Sequence, residues 1–144
     1  MTMPSTNSFR RVGLGCWTGS TASWAVEDKE SPLRVCRGIN SRKLEHFEYK
    51  LCDSTCNIYL AMSALVWAGM DGIRQSRALR PSSTSSPIAP DLSSALEALR
   101  QNEYMMRLLG PMLSKSFLAV KEAEIKTTQD LRLEEEIALV LART

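Results

Sequence analysis

Polar and apolar residues alternate between positions 46 and 51. Successive side chains of a β-strand point to opposite faces, so this alternation predicts a half-buried strand. One face of that strand carries the ionisable residues His46, Glu48 and Lys50. A second alternating stretch, residues 33–36, precedes a basic turn. The two stretches are therefore expected to pair as an antiparallel hairpin.

The next strong pattern is an uncharged run from residue 58 to residue 70. A helix that is apolar on nearly all sides belongs inside a larger body. Thirteen residues at about 1.5 Å each reach only about 20 Å, which is too short to cross a bilayer. We therefore predict a long core helix from about Asn57 to Arg77, with Asn57 as its N-cap.

Helical periodicity dominates from Asp91 to the end of the chain. Ser94 and Glu97 have the spacing of a capping box, and the pair Gly110-Pro111 is expected to end one helix and begin the next. The preceding segment, residues 81–90, is rich in Ser and Pro without periodicity and is predicted to be a flexible loop. The predicted fold class is α+β, with a short antiparallel sheet around residues 32–51, a long core helix and C-terminal helices.

The net charge and the N-terminal segment argue against nucleic-acid and membrane partners. The net charge of +2 in 144 residues, with both signs mixed, predicts no nucleic-acid partner, because such a partner requires a clustered basic face. The N-terminus is polar and has no hydrophobic segment for export. The chain is therefore expected to be cytoplasmic, without a membrane partner.

The four cysteines lack the spacing of a disulfide framework and are expected to be reduced. They are Cys16, Cys36, Cys52 and Cys56. Cys52 and Cys56 with His46 are a conceivable zinc site, but three ligands without a clear fourth favour spectator cysteines.

Residues 48–73 read EYKLCDSTCNIYLAMSALVWAGMDGI. This run resembles the glutamine synthetase pattern E-x-R-x-P-D-x-x-A-N-P-Y-L, followed by an alanine-rich helix that ends A-G-x-D-G-I. Residues 7–11, NSFRR, and residues 24–35, WAVEDKESPLRV, resemble N-S-Y-K-R and W-G-x-x-N-R-x-A-x-I-R-V of the same family. The resemblance implies that residues 1–126 are the C-terminal part of the catalytic domain, with a divergent helical tail at 127–144.

The same resemblance implies the positions of site residues. Glu48 lies where the family has a metal-binding glutamate, and Arg34 where it has a substrate- or phosphate-binding arginine. Three other arginine positions of the family are replaced, by Lys29, His46 and Lys50. Lysine keeps the charge but not the planar fork that binds phosphate at two points, and neutral histidine keeps neither. All five residues are therefore predicted to be vestigial. Without the resemblance, Glu48 and Lys50 would be a solvated row of opposite charges.

Three functions follow from these observations. The first is a non-catalytic member of the family, a structural or chaperone-like homo-oligomer that associates with intermediate filaments, as a family pseudoenzyme of the vertebrate lens is implied to do. The alternative is a fragment of an active glutamate–ammonia ligase, for which the family requires ATP and Mg²⁺. A small helical adaptor is a third possibility only if the resemblance is due to chance. Replacement of the arginines favours the first function, for which no cofactor is expected.

Overall fold

The computed structural model describes residues 1–13, 15–41 and 43–142. A short 3₁₀ helix, Asn7–Arg11, precedes four strands: β1 (Thr21–Ala22), β2 (Trp24–Val26), β3 (Leu33–Arg37) and β4 (Leu44–Tyr49). The remaining elements are α1 (Ile58–Arg74), β5 (Ser86–Pro87), α2 (Leu92–Gln101), α3 (Glu103–Thr128) and α4 (Leu133–Leu141). The predicted α+β class is therefore confirmed.

Strands β3 and β4 form the predicted antiparallel hairpin, and β2 adds a third strand parallel to β3. The alternation of polar and apolar residues places the two kinds of side chain on opposite faces of the hairpin. The cross-strand pairs are Leu33 with Tyr49, Arg34 with Glu48, Val35 with Phe47 and Cys36 with His46. The register thus matches polar positions with polar positions and apolar with apolar.

Helix α1 begins where the sequence predicts it to begin. The Asn57 side-chain Oδ1 accepts hydrogen bonds from the backbone N–H groups of Tyr59 and Leu60, at 3.0 and 3.2 Å. The helix ends at Arg74 rather than near Arg77. Arg77 lies beyond the helix, where its guanidinium forms a 3.1 Å ion pair with Asp71 in the last turn.

The described part of the chain leaves most of α1 uncovered. Ala61 is its only buried residue, with 1% of its surface exposed, whereas Tyr59 is 81% and Val66 57% exposed. The apolar run does form a helix, but the described elements do not enclose it.

The C-terminal helices differ from the sequence prediction at one cap. The N-cap of α2 is Asp91, not Ser94, because the Asp91 carboxylate accepts from the Ser94 backbone N–H at 2.7 Å. Ser94 therefore lies inside the first turn, and the predicted capping box of Ser94 and Glu97 is wrong. The predicted break in α3 is present. Gly110 has φ 72° and interrupts the helical backbone just before Pro111.

Two further contacts position the ends of the chain and its central loop. Glu136 of α4, 3% exposed, accepts from the Thr6 hydroxyl at 2.6 Å and pairs with Arg10 at 2.8 Å. These bonds fix the C-terminal helix against the N-terminal segment. Strand β5 lies within residues 81–90 and pairs antiparallel with β1. This strand was not predicted, and the flexibility of the loop stays a prediction.

Candidate functional site

The polar face of the β3–β4 hairpin brings together four of the chemically capable side chains. Arg34 lies directly opposite Glu48, and Cys36 directly opposite His46. Because residues two apart on a strand share a face, all four side chains project from the same side of the sheet. Three of them, Arg34, His46 and Glu48, are among the residues predicted from the family resemblance.

Arg34 is held between two carboxylates. Its Nη1 donates to Glu48 at 3.4 Å, and its Nη2 donates to Glu27 at 3.1 Å. The hydrogen bond that Arg34 donates to Glu27 raises the pKa of Arg34 above its ordinary value, although desolvation opposes this. The Arg34 guanidinium is therefore paired with two carboxylates at once, and one of them is Glu48, the residue that the resemblance matches to a metal-binding glutamate.

Glu27 is a site residue that the sequence reasoning missed. It follows β2 with φ 59°, a left-handed conformation uncommon outside glycine. Its carboxylate also accepts from the Arg37 backbone N–H at 2.5 Å, and that bond, with the one from Arg34, lowers its pKa. A signal was present, because Glu27 lies within the segment 24–35 that carried the family resemblance.

Lys29 and Lys50 meet at the end of the hairpin. Lys50 follows the last residue of β4, and its ammonium donates to the backbone carbonyl of Lys29. The Lys50 backbone N–H donates to the Pro32 carbonyl at 2.9 Å. The two residues are thus linked through the backbone of Lys29, while the side chain of Lys29 stays exposed.

Cys36, which was not part of the zinc site conceived from the sequence, is the cysteine that lies beside His46. Cys36 is buried, and its sulfur lies within 4.8 Å of ligand atoms of His46 and Glu48, each pair being that close. Cys52 and Cys56, by contrast, face each other with their sulfurs 3.2 Å apart. Burial, with a contribution from Cys56, raises the pKa of Cys52 to about 11, so this thiol is neutral at physiological pH.

The opposite face of the hairpin opens onto an apolar groove beside α1. Its volume is about 570 Å³, and it lies between the sheet and the helix. Phe47 of β4 and Val66 of α1 line this groove, and both are more than half exposed. The groove is lined by Phe47, Tyr49, Cys52, Met62, Leu65, Val66, Gly69, Met70 and Ile73. We call this set of residues the α1 groove.

Residues 1–139 match the family described as "Glutamine synthetase, catalytic domain". The chain belongs to the glutamine synthetase family. The match extends through most of α4, and the boundary at residue 126 stays a prediction. The resemblance seen in residues 48–73 is thus part of a match over nearly the whole chain.

Individual relatives agree with this family assignment. This glutamine synthetase-family chain is 32% identical over 145 residues to type-1 glutamine synthetase 1 of Dictyostelium discoideum, with 94% of this chain and 29% of that protein covered. It is 30% identical over 144 residues to protein fluG of Emericella nidulans, with 87% and 16% covered.

A solved structure supports the fold. A crystal structure of a novel glutamine synthase homolog matches with a TM-score of 0.78 and 27% sequence identity, over 91% of this chain and 32% of that one. The chain therefore spans less than a third of each of these three relatives. None of the helices in the described ranges combines the length and apolar character needed to cross a membrane.

The family's Mg²⁺ does not suit the residues on this polar face. Magnesium prefers an octahedral set of oxygen ligands. The face offers the carboxylate of Glu48, one oxygen of which is paired with Arg34, beside the sulfur of Cys36 and an imidazole nitrogen of His46. Sulfur and nitrogen are poor ligands for Mg²⁺. The vestigial roles of Arg34, Lys29, Lys50 and His46, and of Glu48 as a metal ligand, stay predictions.

Proposed function

We propose that this chain is a non-catalytic member of the glutamine synthetase family that functions by association, as a structural component rather than as a ligase. The observation that carries the proposal is the uncovered apolar surface of α1 beside the α1 groove. Monomeric soluble proteins rarely expose large contiguous apolar surfaces, and those that do generally bind a partner there.

The polar face supports the non-catalytic part of the proposal. Phosphoryl transfer depends on cations that clamp the transferring phosphate, and arginine does this with two parallel hydrogen bonds. Lysine and histidine stand at three of the arginine positions, and the retained Arg34 is engaged by Glu27 and Glu48. No free guanidinium remains among these matched positions to bind a phosphate.

The partner in this proposal is a second copy of the same chain. The exposed residues that line the α1 groove are apolar and uncharged, so two copies can bury them against each other without burying an unpaired charge. The net charge of +2 opposes self-association only weakly. Dimerisation therefore removes the α1 grooves of both copies from water.

Analytical ultracentrifugation tests this proposal. We expect the wild-type chain to sediment as a dimer or larger species at tens of micromolar. Val66→Asp should shift it toward monomer, because burying an unpaired carboxylate costs several kcal/mol. Val66 is 57% exposed in the single chain, so this substitution leaves the monomer's own packing intact.

Two variants that do not alter the α1 groove are the controls. Ser63→Asp adds the same charge at an exposed position of α1 outside the groove. Lys50→Ala changes a residue that the resemblance matches to the family's active site. Both should sediment like the wild type. A wild-type chain that remains a compact monomer throughout this concentration range would contradict the association proposal.

The finer form of the proposal is a lengsin-like role, in which a cytoplasmic assembly contacts intermediate filaments. What supports it is the combination of the family match and the replaced arginines. Co-sedimentation with assembled vimentin filaments tests it, with Val66→Asp and Ser63→Asp compared in parallel. If no more wild-type chain sediments with the filaments than without them, the filament partner is excluded and only the structural role remains.

The second candidate is a fragment of an active glutamate–ammonia ligase, completed by polypeptide outside this chain. It is favoured by one observation, the retention of both Glu48 and Arg34 directly opposite each other in the hairpin register. In that case ATP and Mg²⁺ would be required, and the groove would be filled by the remainder of a longer protein.

A further inference from the structure

We propose that Cys36, His46 and Glu48 form a binding site for a transition-metal ion, best suited to Zn²⁺. This site is independent of the association proposed above, because it lies on the polar face of the hairpin and the α1 groove on the apolar one. Of its three ligands, only Glu48 lies at a position that the resemblance matches to a metal ligand of the family.

The hairpin register builds this site. Cys36 and His46 are a directly opposed cross-strand pair, and Glu48 follows two residues later on the same face of β4. Their ligand atoms all lie within 4.8 Å of one another. A tetrahedral zinc ion with bonds of about 2.0–2.3 Å requires ligand separations of roughly 3.3–3.8 Å. The ligand atoms must therefore approach one another by at most about 1.5 Å.

The side chains that must move are free to do so. His46 and Glu48 are exposed, so rotation about their side-chain bonds meets no packed neighbours, while Cys36 is buried and fixed. The contact between Glu48 and Arg34 is long, at 3.4 Å, and uses Oε2. The other carboxylate oxygen, Oε1, is therefore available to bind a metal ion.

The donor set selects the metal. A thiolate, an imidazole nitrogen and a carboxylate are the three ligand types that Zn²⁺ binds, and three protein ligands leave one position for water. Thiolate is a soft ligand that disfavours Mg²⁺ and Ca²⁺. Once the Cys36 thiol has lost its proton, its negative charge adds to those of Glu27 and Glu48, against the positive charges of Arg34 and Arg37. The local charge therefore suits a divalent cation.

Binding must displace a proton from the thiol. Burial, and then the Glu48 carboxylate, raise the pKa of Cys36, so the metal-free thiol is protonated at neutral pH. A bound cation reverses this effect, because it stabilises the thiolate that coordinates it. Metal binding should accordingly release a proton into the solution.

Cobalt titration of the full chain under reducing conditions tests the site. Co²⁺ substitutes for Zn²⁺ and reports a bound thiolate through a ligand-to-metal charge-transfer absorption. We expect that absorption in the wild type and its loss on addition of equimolar Zn²⁺ but not of excess Mg²⁺. Cys36→Ser should abolish it, and His46→Ala and Glu48→Gln should each weaken binding by at least about tenfold.

The other cysteine pair provides the matched control. The Cys52→Ser/Cys56→Ser double variant removes two neighbouring thiols outside the proposed site and should keep the absorption unchanged. Because His46 is the only histidine, its imidazole NMR signals should shift when Zn²⁺ is added to the diamagnetic protein. Circular dichroism of each variant identifies any loss of folding.

Three results would overturn the proposal. They are absorption that survives in folded Cys36→Ser, absorption lost in the folded double variant, and imidazole signals that do not respond to Zn²⁺. Sedimentation of the same samples keeps this test separate from the association proposal, since Cys36→Ser is expected to assemble like the wild type.

Discussion

Glu136 is the residue whose burial carries the clearest consequence for stability. Burial alone would raise the pKa of this carboxyl, but the bonds from Thr6 and Arg10 outweigh it and hold the pKa below its ordinary value. A carboxyl with a depressed folded-state pKa contributes stability that is fully present above its unfolded pKa. That contribution is lost as the pH falls through the folded-state pKa.

We therefore expect the free energy of unfolding to decrease as the pH falls below about 4.3, the unfolded value for glutamate. Glu136→Gln should lower stability at neutral pH by about 1–3 kcal/mol and flatten the acid dependence, because it removes the charge that Thr6 and Arg10 bind. Urea unfolding at neutral pH and at a pH below that value measures both effects.

Glu134→Gln is the matched control, because Glu134 is an exposed glutamate of the same helical turn. Its unfolding curve should follow the wild type at both pH values. Equal acid dependence in the wild type and in Glu136→Gln would contradict the role assigned to Glu136.

The hydrogen-bond partners of single residues differ in how well the sequence predicts them. Asn57 was predicted as a cap because its partners are the next residues along the chain. The partners of Glu136 lie 126 and 130 positions away, and no local pattern indicates them. Glu27 is intermediate, since only the parallel pairing of β2 with β3 determines that Arg34 reaches it.

Among the elements, α1 depends on a single side chain for its start. Asn57→Ala removes the acceptor for the N–H groups of Tyr59 and Leu60, so we expect a loss of about 1 kcal/mol. Asn57→Asp keeps an oxygen in the same place and should change the free energy of unfolding by only a few tenths of a kcal/mol. Urea denaturation of the two variants compares them, and equal losses would argue against the cap.

Very short strands are not predicted by the sequence pattern. Alternation over residues 33–36 and 46–51 was long enough to indicate β3 and β4 and their pairing. Strand β2 has three residues and β5 has two, one of them a proline, so neither contains a full alternating pattern. Both exist because another strand offers them backbone partners: β2 pairs with the longer β3, and β5 pairs with the equally short β1. Such pairing is a tertiary effect.

At the scale of the whole molecule, the predicted start of helix α1 is confirmed and its end lies three residues earlier than predicted, but the sequence does not predict what covers the helix. An apolar run indicates that a surface must be covered, and it does not indicate which polypeptide covers it. The described elements bury Ala61 and leave much of the helix open. The family match over less than a third of each compared relative is consistent with cover from outside this chain.

The last prediction concerns catalysis by the chain as a whole. We expect no glutamine formation from glutamate, ammonium, ATP and Mg²⁺, because the described residues of the polar face offer Mg²⁺ few oxygen ligands and the Arg34 guanidinium is paired with Glu27 and Glu48. Phosphate release measures this, and Glu48→Ala is the control, since Glu48 is the residue that the resemblance matches to a metal-binding glutamate. The wild type and Glu48→Ala should release phosphate at the same background rate. Turnover by the wild type clearly above Glu48→Ala would instead favour the ligase fragment, and repeating the assay with the monomeric Val66→Asp variant would then reveal whether that activity requires the assembled form.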